Sequence, residues 1–209
     1  MGEVLRIDHL TLETGGHILM RDFNLRVDAG EMVCLSGESG CGKTTLLRAL
    51  LGFVPLKEGN IHVAGYAMSP ERVSDIRRRV DYVPQELSAP CERVGELVEM
   101  ILGLKTNRRF VYAEERLFSI WEELGLDREL YSHGLAKVSG GQRQRILLSV
   151  AALTDKPLLL ADEPTAALDE DNARRVNVFL RRLCGQRRAV LVVSHDERLA
   201  QDCDRVIYL

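Results

Sequence analysis

Lys43 and Thr44 stand near the end of the run GESGCGKTT (residues 37–45), in which Gly37, Gly42, Lys43 and Thr44 fall at the spacing G-x-x-x-x-G-K-[ST]. The chemistry of that pattern is phosphate binding. Backbone N–H groups of a glycine-rich loop cradle phosphate oxygens, the lysine reaches the outer phosphates and the hydroxyl binds Mg²⁺. Gly37, Glu38, Ser39, Gly40, Cys41, Gly42, Lys43, Thr44 and Thr45 are therefore the expected contacts of a nucleoside triphosphate. A plain turn between strand and helix needs neither the lysine nor the hydroxyl. A second group of residues sits in PLLLADEPTAALD (157–169), where an apolar run ends in two adjacent carboxylates, Asp162 and Glu163. Charges at the mouth of an apolar strand are costly unless compensated, and a Mg²⁺–triphosphate supplies the compensation. Asp162 suits the Mg²⁺ shell. Because successive strand residues point opposite ways, Glu163 is free to face the water that attacks the γ-phosphate. A third group, VSGGQRQR (138–145), opens an apolar helix with the Ser139 hydroxyl and the bare backbone of Gly140 and Gly141, a second anion site at a positive helix end.

These residues need rigid elements behind them. MVCLS (32–36) is a short apolar run before the glycine loop, and TTLLRALLGF after it carries Leu46, Leu47, Leu50 and Leu51 at helical spacing. Strand, loop and helix thus follow in order, and the helix dipole adds about half a positive charge where the phosphates would lie. LLLAD (158–162) and AVLVVSH (189–195) are continuous apolar runs, which suit central parallel strands covered on both faces. Residues 1–30 instead alternate, with Leu5, Ile7, Leu10, Leu12, Phe23, Leu25 and Val27 among polar neighbours, and GNIHVAGYAM (59–68) continues that style. Half-buried antiparallel strands are expected there. VGELVEMILGL and RLFSIWEELGL turn the pattern helical, so residues from about 86 to 138 should form a helical lobe. Leu117, Ile120, Trp121 and Leu124 share one stripe of it, which makes Trp121 a packing residue.

A chain of 209 residues can bury a sizeable core, and its formal net charge of −3 gives no basic field for nucleic acid. The arginine runs DIRRRV (75–80) and LRRLCGQRRAV (180–190) read as solvated helix faces. Five cysteines without a C-x-x-C pair fit a reducing cytosol better than a disulfide or zinc framework. No signal peptide is expected from the polar N-terminal residues, and no apolar stretch of the sequence approaches the roughly 18 residues that span a bilayer. Any membrane role must come through a partner.

In order and spacing the motifs resemble those of the ATP-binding cassette (ABC) ATPases, over essentially the entire chain. Ser139, Gly140, Gly141 and Gln142 match the family signature LSGGQ, with Val138 in place of its leucine; Gln85 in YVPQE matches the Q-loop, Asp169 in AALD the D-loop, and His195 in VVSHD the switch histidine. The resemblance implies an α/β fold over residues 1–209, a P-loop NTPase core with a mainly parallel sheet, an N-terminal antiparallel β lobe and the inserted helical lobe. It implies ATP and Mg²⁺ as ligands and head-to-tail pairing with a second copy or a paralogous ATPase subunit. Lys43 would bind the outer phosphates, Thr44, Gln85 and Asp162 would serve Mg²⁺, Glu163 would position or activate water, and His195 would contact the γ-phosphate. Ser139, Gly141 and Gln142 of the opposite copy would cover the ATP, with Asp169 close by, so that catalysis is positioning and charge stabilisation. The implied role is the ATP-hydrolysing subunit of a transporter, peripheral on the cytoplasmic face of the membrane. It would work through polytopic membrane subunits, one of whose short helices docks between helical lobe and core near Gln85. The alternative is a soluble ABC-type ATPase acting on ribosomes or DNA; such relatives carry two cassettes or a long inserted coiled coil. The chain closes at DRVIYL soon after His195, and no appended regulatory domain is expected. One position departs from the pattern. Where the family places an aromatic ring under adenine, the alignment of LETGGHILMRDF puts Thr14, and the nearest ring is His17.

Overall fold

The computed structural model describes residues 2–107, 112–185 and 187–209; residues 108–111 of the expected helical lobe and Gln186 of the second arginine run lie outside the described residues. The chain runs β1 (Glu3–Thr14), β2 (His17–Asp28), β3 (Met32–Ser36), α1 (Lys43–Leu50), β4 (Glu58–Val63), β5 (Tyr66–Ala67), α2 (Val73–Arg77) and β6 (Val80–Val83). It continues with α3 (Val94–Leu102), α4 (Glu114–Glu123), two short 3₁₀ turns, α5 (Gly140–Thr154), β7 (Leu158–Asp162), α6 (Glu170–Gly185), β8 (Ala189–Val193), α7 (Glu197–Gln201) and β9 (Arg205–Tyr208). Two sheets result. The antiparallel one has the order β2-β1-β4-β5 and the parallel one β6-β7-β8-β3-β9.

The continuous apolar runs occupy the positions that their composition requires. Every residue of β7 and β8 is buried, and the period of two sorts them between two cores. Val33, Leu35, Leu158, Leu160, Leu191 and Val193 face α1 and the antiparallel sheet. Met32, Leu159, Val190 and Val192 face α5, α6 and the helical lobe. β1 alternates only in halves: its register against β2 shifts between Ile7 and Leu10, where His9 adopts a left-handed φ of 50°.

Helix α5 joins the lobe to the core. From Gln144 to Thr154 it is buried on all sides, whereas α4 is amphipathic and presents Leu117, Ile120 and Trp121 inward. Trp121 is fully buried and its indole N–H donates to Ser149 Oγ at 2.9 Å, so the packing role read from its stripe holds. The reading of the arginine runs as solvated faces needs correcting. Arg181, Arg182 and Arg187 are exposed, but Arg188 is 2% exposed and its guanidinium donates to Asp81. Lys156 Nζ lies 3.3 Å from the same carboxylate and Thr154 Oγ1 donates to it at 2.6 Å. The run continues past the end of α6 towards β8, so its last arginine points inward to a buried acid. No helix among the described residues is long and apolar enough to cross a membrane.

Candidate active site

The C-terminal ends of the parallel strands open onto one cleft, where such sheets place their ligands. After β3, the glycine loop closes tightly over the start of α1. A Cβ at Gly37 would meet Cys41 Sγ and the Leu209 carbonyl oxygen at 2.9 Å each, and Gly40 and Gly42 take φ of 86° and 101°. Only glycine suits such positions without strain. Lys43 begins α1 and is buried; its Nζ donates to the carbonyls of Gly37 and Glu38, both at 2.8 Å, and lies 3.7 Å from Cys41 Sγ. Its ammonium is thus fixed within the curve of the loop.

The next residue, Thr44, donates through Oγ1 to Asp162 Oδ1 at 3.3 Å, and the Tyr82 hydroxyl donates to Asp162 Oδ2 at 3.4 Å. Asp162 is 2% exposed, and burial pushes its carboxyl above the ordinary range against the opposing hydrogen bond from Thr44. The Tyr82 hydroxyl is pushed up to about 12 by its own burial and by the charge of Asp162.

Glu163 reaches the cleft by a different route from the one expected. β7 ends at Asp162, and Glu163 takes a left-handed φ of 48°, so its direction comes from a turn and not from alternation along a strand. Its N–H donates to the Val193 carbonyl at 2.8 Å. Its carboxylate accepts from Ser194 Oγ at 3.4 Å and lies 3.0 Å from His195 Nδ1.

A cavity of about 420 Å³ gathers Gly37, Ser39, Gly40, Gly42, Lys43, Thr44 and Thr45 with Gln85, Asp162, Glu163 and His195. Val193 completes the lining. Glu38 and Cys41 serve the loop from within, the first through its carbonyl and the second through the sulfur beside Lys43. Tyr82 was not anticipated; its only sequence signal is its place three residues before Gln85 in YVPQE. Ser139, Gly140, Gly141, Gln142 and Asp169 do not line this cavity. Ser139 caps α5, accepting from the Gln142 N–H at 3.1 Å while Gln142 Oε1 accepts from the Ser139 N–H at 3.0 Å. Gly140 borders a separate groove with Gln85, Ser88, Arg143 and Gln144. Asp169 precedes α6 and accepts from the backbone and side-chain nitrogens of Asn172 at 2.9 and 2.8 Å, bonds that hold its carboxyl below the ordinary range. Thr14 and His17 pair across the tip of the β1–β2 hairpin, exposed and outside the cavity lining.

The donor set fits Mg²⁺. Among the described residues no group of three or more His, Cys, Asp or Glu could hold a metal ion. What the cleft offers is the Asp162 carboxylate hydrogen-bonded to the Thr44 hydroxyl, with Gln85 in the same lining. A hard, strongly hydrated cation that takes its remaining ligands from water and phosphate suits that set.

Residues 20–166 match the family model described as "ABC transporter". The chain is 32% identical to the phosphonates import ATP-binding protein of Hyphomonas neptunium over 93% of this chain and 78% of that protein. A second phosphonates import ATP-binding protein, from Nostoc sp., is 35% identical over 91% of this chain and 84% of its own length. The ATP-dependent lipid A-core flippase of Ralstonia nicotianae is 32% identical over 98% of this chain, which spans 36% of that protein's length. Among solved structures, a dimeric ATP-binding cassette in a post-hydrolysis state with ADP and Pi superposes with a TM-score of 0.85 at 27% identity, covering 98% of this chain and 94% of the other.

Proposed function

The chain belongs to the ABC transporter family, and from that premise we propose that it is the ATP-hydrolysing subunit of a transporter, acting through separate membrane subunits and closing on a second cassette around ATP. The observation that carries this reading is the division of the motifs. Lys43, Thr44, Gln85, Asp162, Glu163 and His195 meet in one cleft, whereas Ser139, Gly141, Gln142 and Asp169 stand outside it, available to the cleft of another copy.

Each residue then has a task set by its surroundings. Lys43 exchanges its two loop carbonyls for phosphate oxygens, with the N-terminus of α1 adding its dipole. Thr44, Gln85 and Asp162 would hold Mg²⁺, which when bound neutralises charge on the outer phosphates. Glu163 takes or orients the proton of the attacking water. His195, beside it and well exposed, reaches toward the γ-phosphate while steadying the carboxylate. Ser139 already directs its hydroxyl to its own helix start, so the helix N-terminus and the glycine N–H groups are what it presents to the opposite ATP.

A docking place for a membrane subunit is supported by the groove at Gln85, Glu86, Leu87 and Ser88, bordered by Arg143 and Gln144 of α5. If a polytopic membrane protein is encoded beside this chain, expressing the two together and extracting with detergent should yield a stable complex. Recovery on ribosomes or DNA instead would favour the soluble reading.

The hairpin tip gives a further expectation. With Thr14 where a ring would lie, phosphate and metal supply most of the affinity, and Mg-ATP and Mg-GTP should bind similarly. Stacking on an aromatic ring is worth about 1–3 kcal/mol, so Thr14→Tyr should tighten both nucleotides by about tenfold. Titrations at one salt concentration decide. If His17→Ala weakens binding while Thr14→Tyr adds little, the histidine already holds the base. A marked ATP preference untouched by either substitution would move the adenine contact elsewhere.

A further inference from the structure

Arg145 lies on the second turn of α5, is 6% exposed, and spends its guanidinium on groups from three parts of the chain. Nη1 donates to the carbonyls of Leu124 at 2.7 Å and Gly125 at 2.9 Å, at the end of α4, and to Asn172 Oδ1 at 2.6 Å on α6. Nε donates to the Gly141 carbonyl at 3.3 Å. Asn172 in turn holds Asp169 with two hydrogen bonds, at 2.9 and 2.8 Å. The guanidinium therefore links the first turn of α5 to the loop before α6 in two steps. A direct contact runs alongside, since a Cβ at Gly141 would come within 2.7 Å of the Ala167 carbonyl oxygen and of Leu168 Cδ2.

We propose that Arg145, acting through Asn172, is a positioning residue that fixes the Ser139–Gln142 turn and the Asp169 carboxylate as one unit, so that both reach the ATP of the opposite copy together. The inference rests on the shared-site reading above. Two elements that must meet one ligand on another molecule gain by being rigid with respect to each other, because small misplacements of such groups are costly in rate. The bonds to Leu124 and Gly125 extend the unit into the helical lobe, so a movement of the lobe carries Asp169 with it. Nε serves the Gly141 carbonyl while Nη1 serves the three acceptors beyond it, and a single ammonium cannot donate from both places at once.

The test uses Arg145→Lys, Asn172→Ala and the double variant, each made in the full chain and again in the Glu163→Gln chain. Asn172→Ala leaves the other contacts of Arg145 in place and so preserves folding, which thermal unfolding checks. Mg-ATP affinity of the single copy should stay within about twofold for all three. The ATP-dependent dimer should weaken by about tenfold and turnover should fall by a similar factor. Because both residues act on one link, the double variant should resemble the worse single variant. Dimerisation and turnover within about twofold of the parent would overturn the proposal, as would parallel loss of Mg-ATP affinity, or additive effects in the double variant. If Glu163→Gln alone forms no ATP-dependent dimer, the shared-site reading falls and the positioning role falls with it. If it dimerises and the variants match it, only the positioning role fails.

Discussion

Glu163→Gln should retain Mg-ATP binding and lose turnover by about 10²- to 10⁴-fold, the range supplied by a positioned general base. The substitution is nearly isosteric. The amide oxygen can still accept from Ser194, and Lys43, Thr44 and Asp162 are untouched, so the nucleotide should bind as before. What disappears is a group able to take a proton from water. ATP would then persist between two copies, and the variant should accumulate as an ATP-dependent dimer. Phosphate release measures the first effect; size-exclusion chromatography with light scattering measures the second. Hydrolysis close to the parent rate would remove Glu163 from the reaction.

Asp162→Asn is expected to separate stability from activity. Burial raises the Asp162 carboxyl above its ordinary range, so the folded chain holds this proton more tightly than the unfolded chain does. The stability linked to Asp162 is therefore fully present below the unfolded carboxylate value of about 3.9 and is lost as pH rises through the folded value. At neutral pH the ionised group is a net cost to folding. Asn removes that cost, its oxygen accepting from one of the two hydroxyls and its amide nitrogen donating to the other after that hydroxyl turns, so without nucleotide the variant should unfold at a higher temperature than the parent at pH 7. The advantage should vanish in acid. Stabilisation by Mg-ATP should be largely lost, and turnover should fall by at least about a hundredfold, because the charge stabilisation from a well-held metal is worth several kcal/mol. Thermal unfolding with and without Mg-ATP across pH, alongside phosphate release, tests both halves. A variant less stable than the parent at neutral pH would contradict the buried-charge account.

The glycine loop before α1 was legible in the sequence because its residue types dictate its form: Gly40 and Gly42 supply backbones with positive φ, and Lys43 opens the helix that follows. The central strands were legible because only burial on both faces tolerates LLLAD and AVLVV. What escaped depends on partners far along the chain. Nothing local to LRRLCGQRRAV says that Arg188 will meet Asp81, 107 residues away. Tyr82 becomes a donor to Asp162 only when β6 and β7 lie side by side, and Arg145 finds Asn172 only after α5 and α6 pack. Glu163 is the instructive case. Its location was readable and its direction was not, since period-two reasoning stops where the strand stops.

That left-handed turn also bears on how the position should drift under selection. A non-glycine residue with positive φ costs on the order of 1–3 kcal/mol, against roughly 0.5–1 kcal/mol for the extra chain entropy that glycine gives up. At φ of 48°, glycine or asparagine is conformationally at ease at position 163 and glutamate is not. A library of variants sorted only for folded abundance should therefore enrich those two residues there. If Glu163 serves hydrolysis as proposed, selection for turnover should instead hold glutamate at this position against that conformational bias, and a library sorted for ATPase activity should retain it.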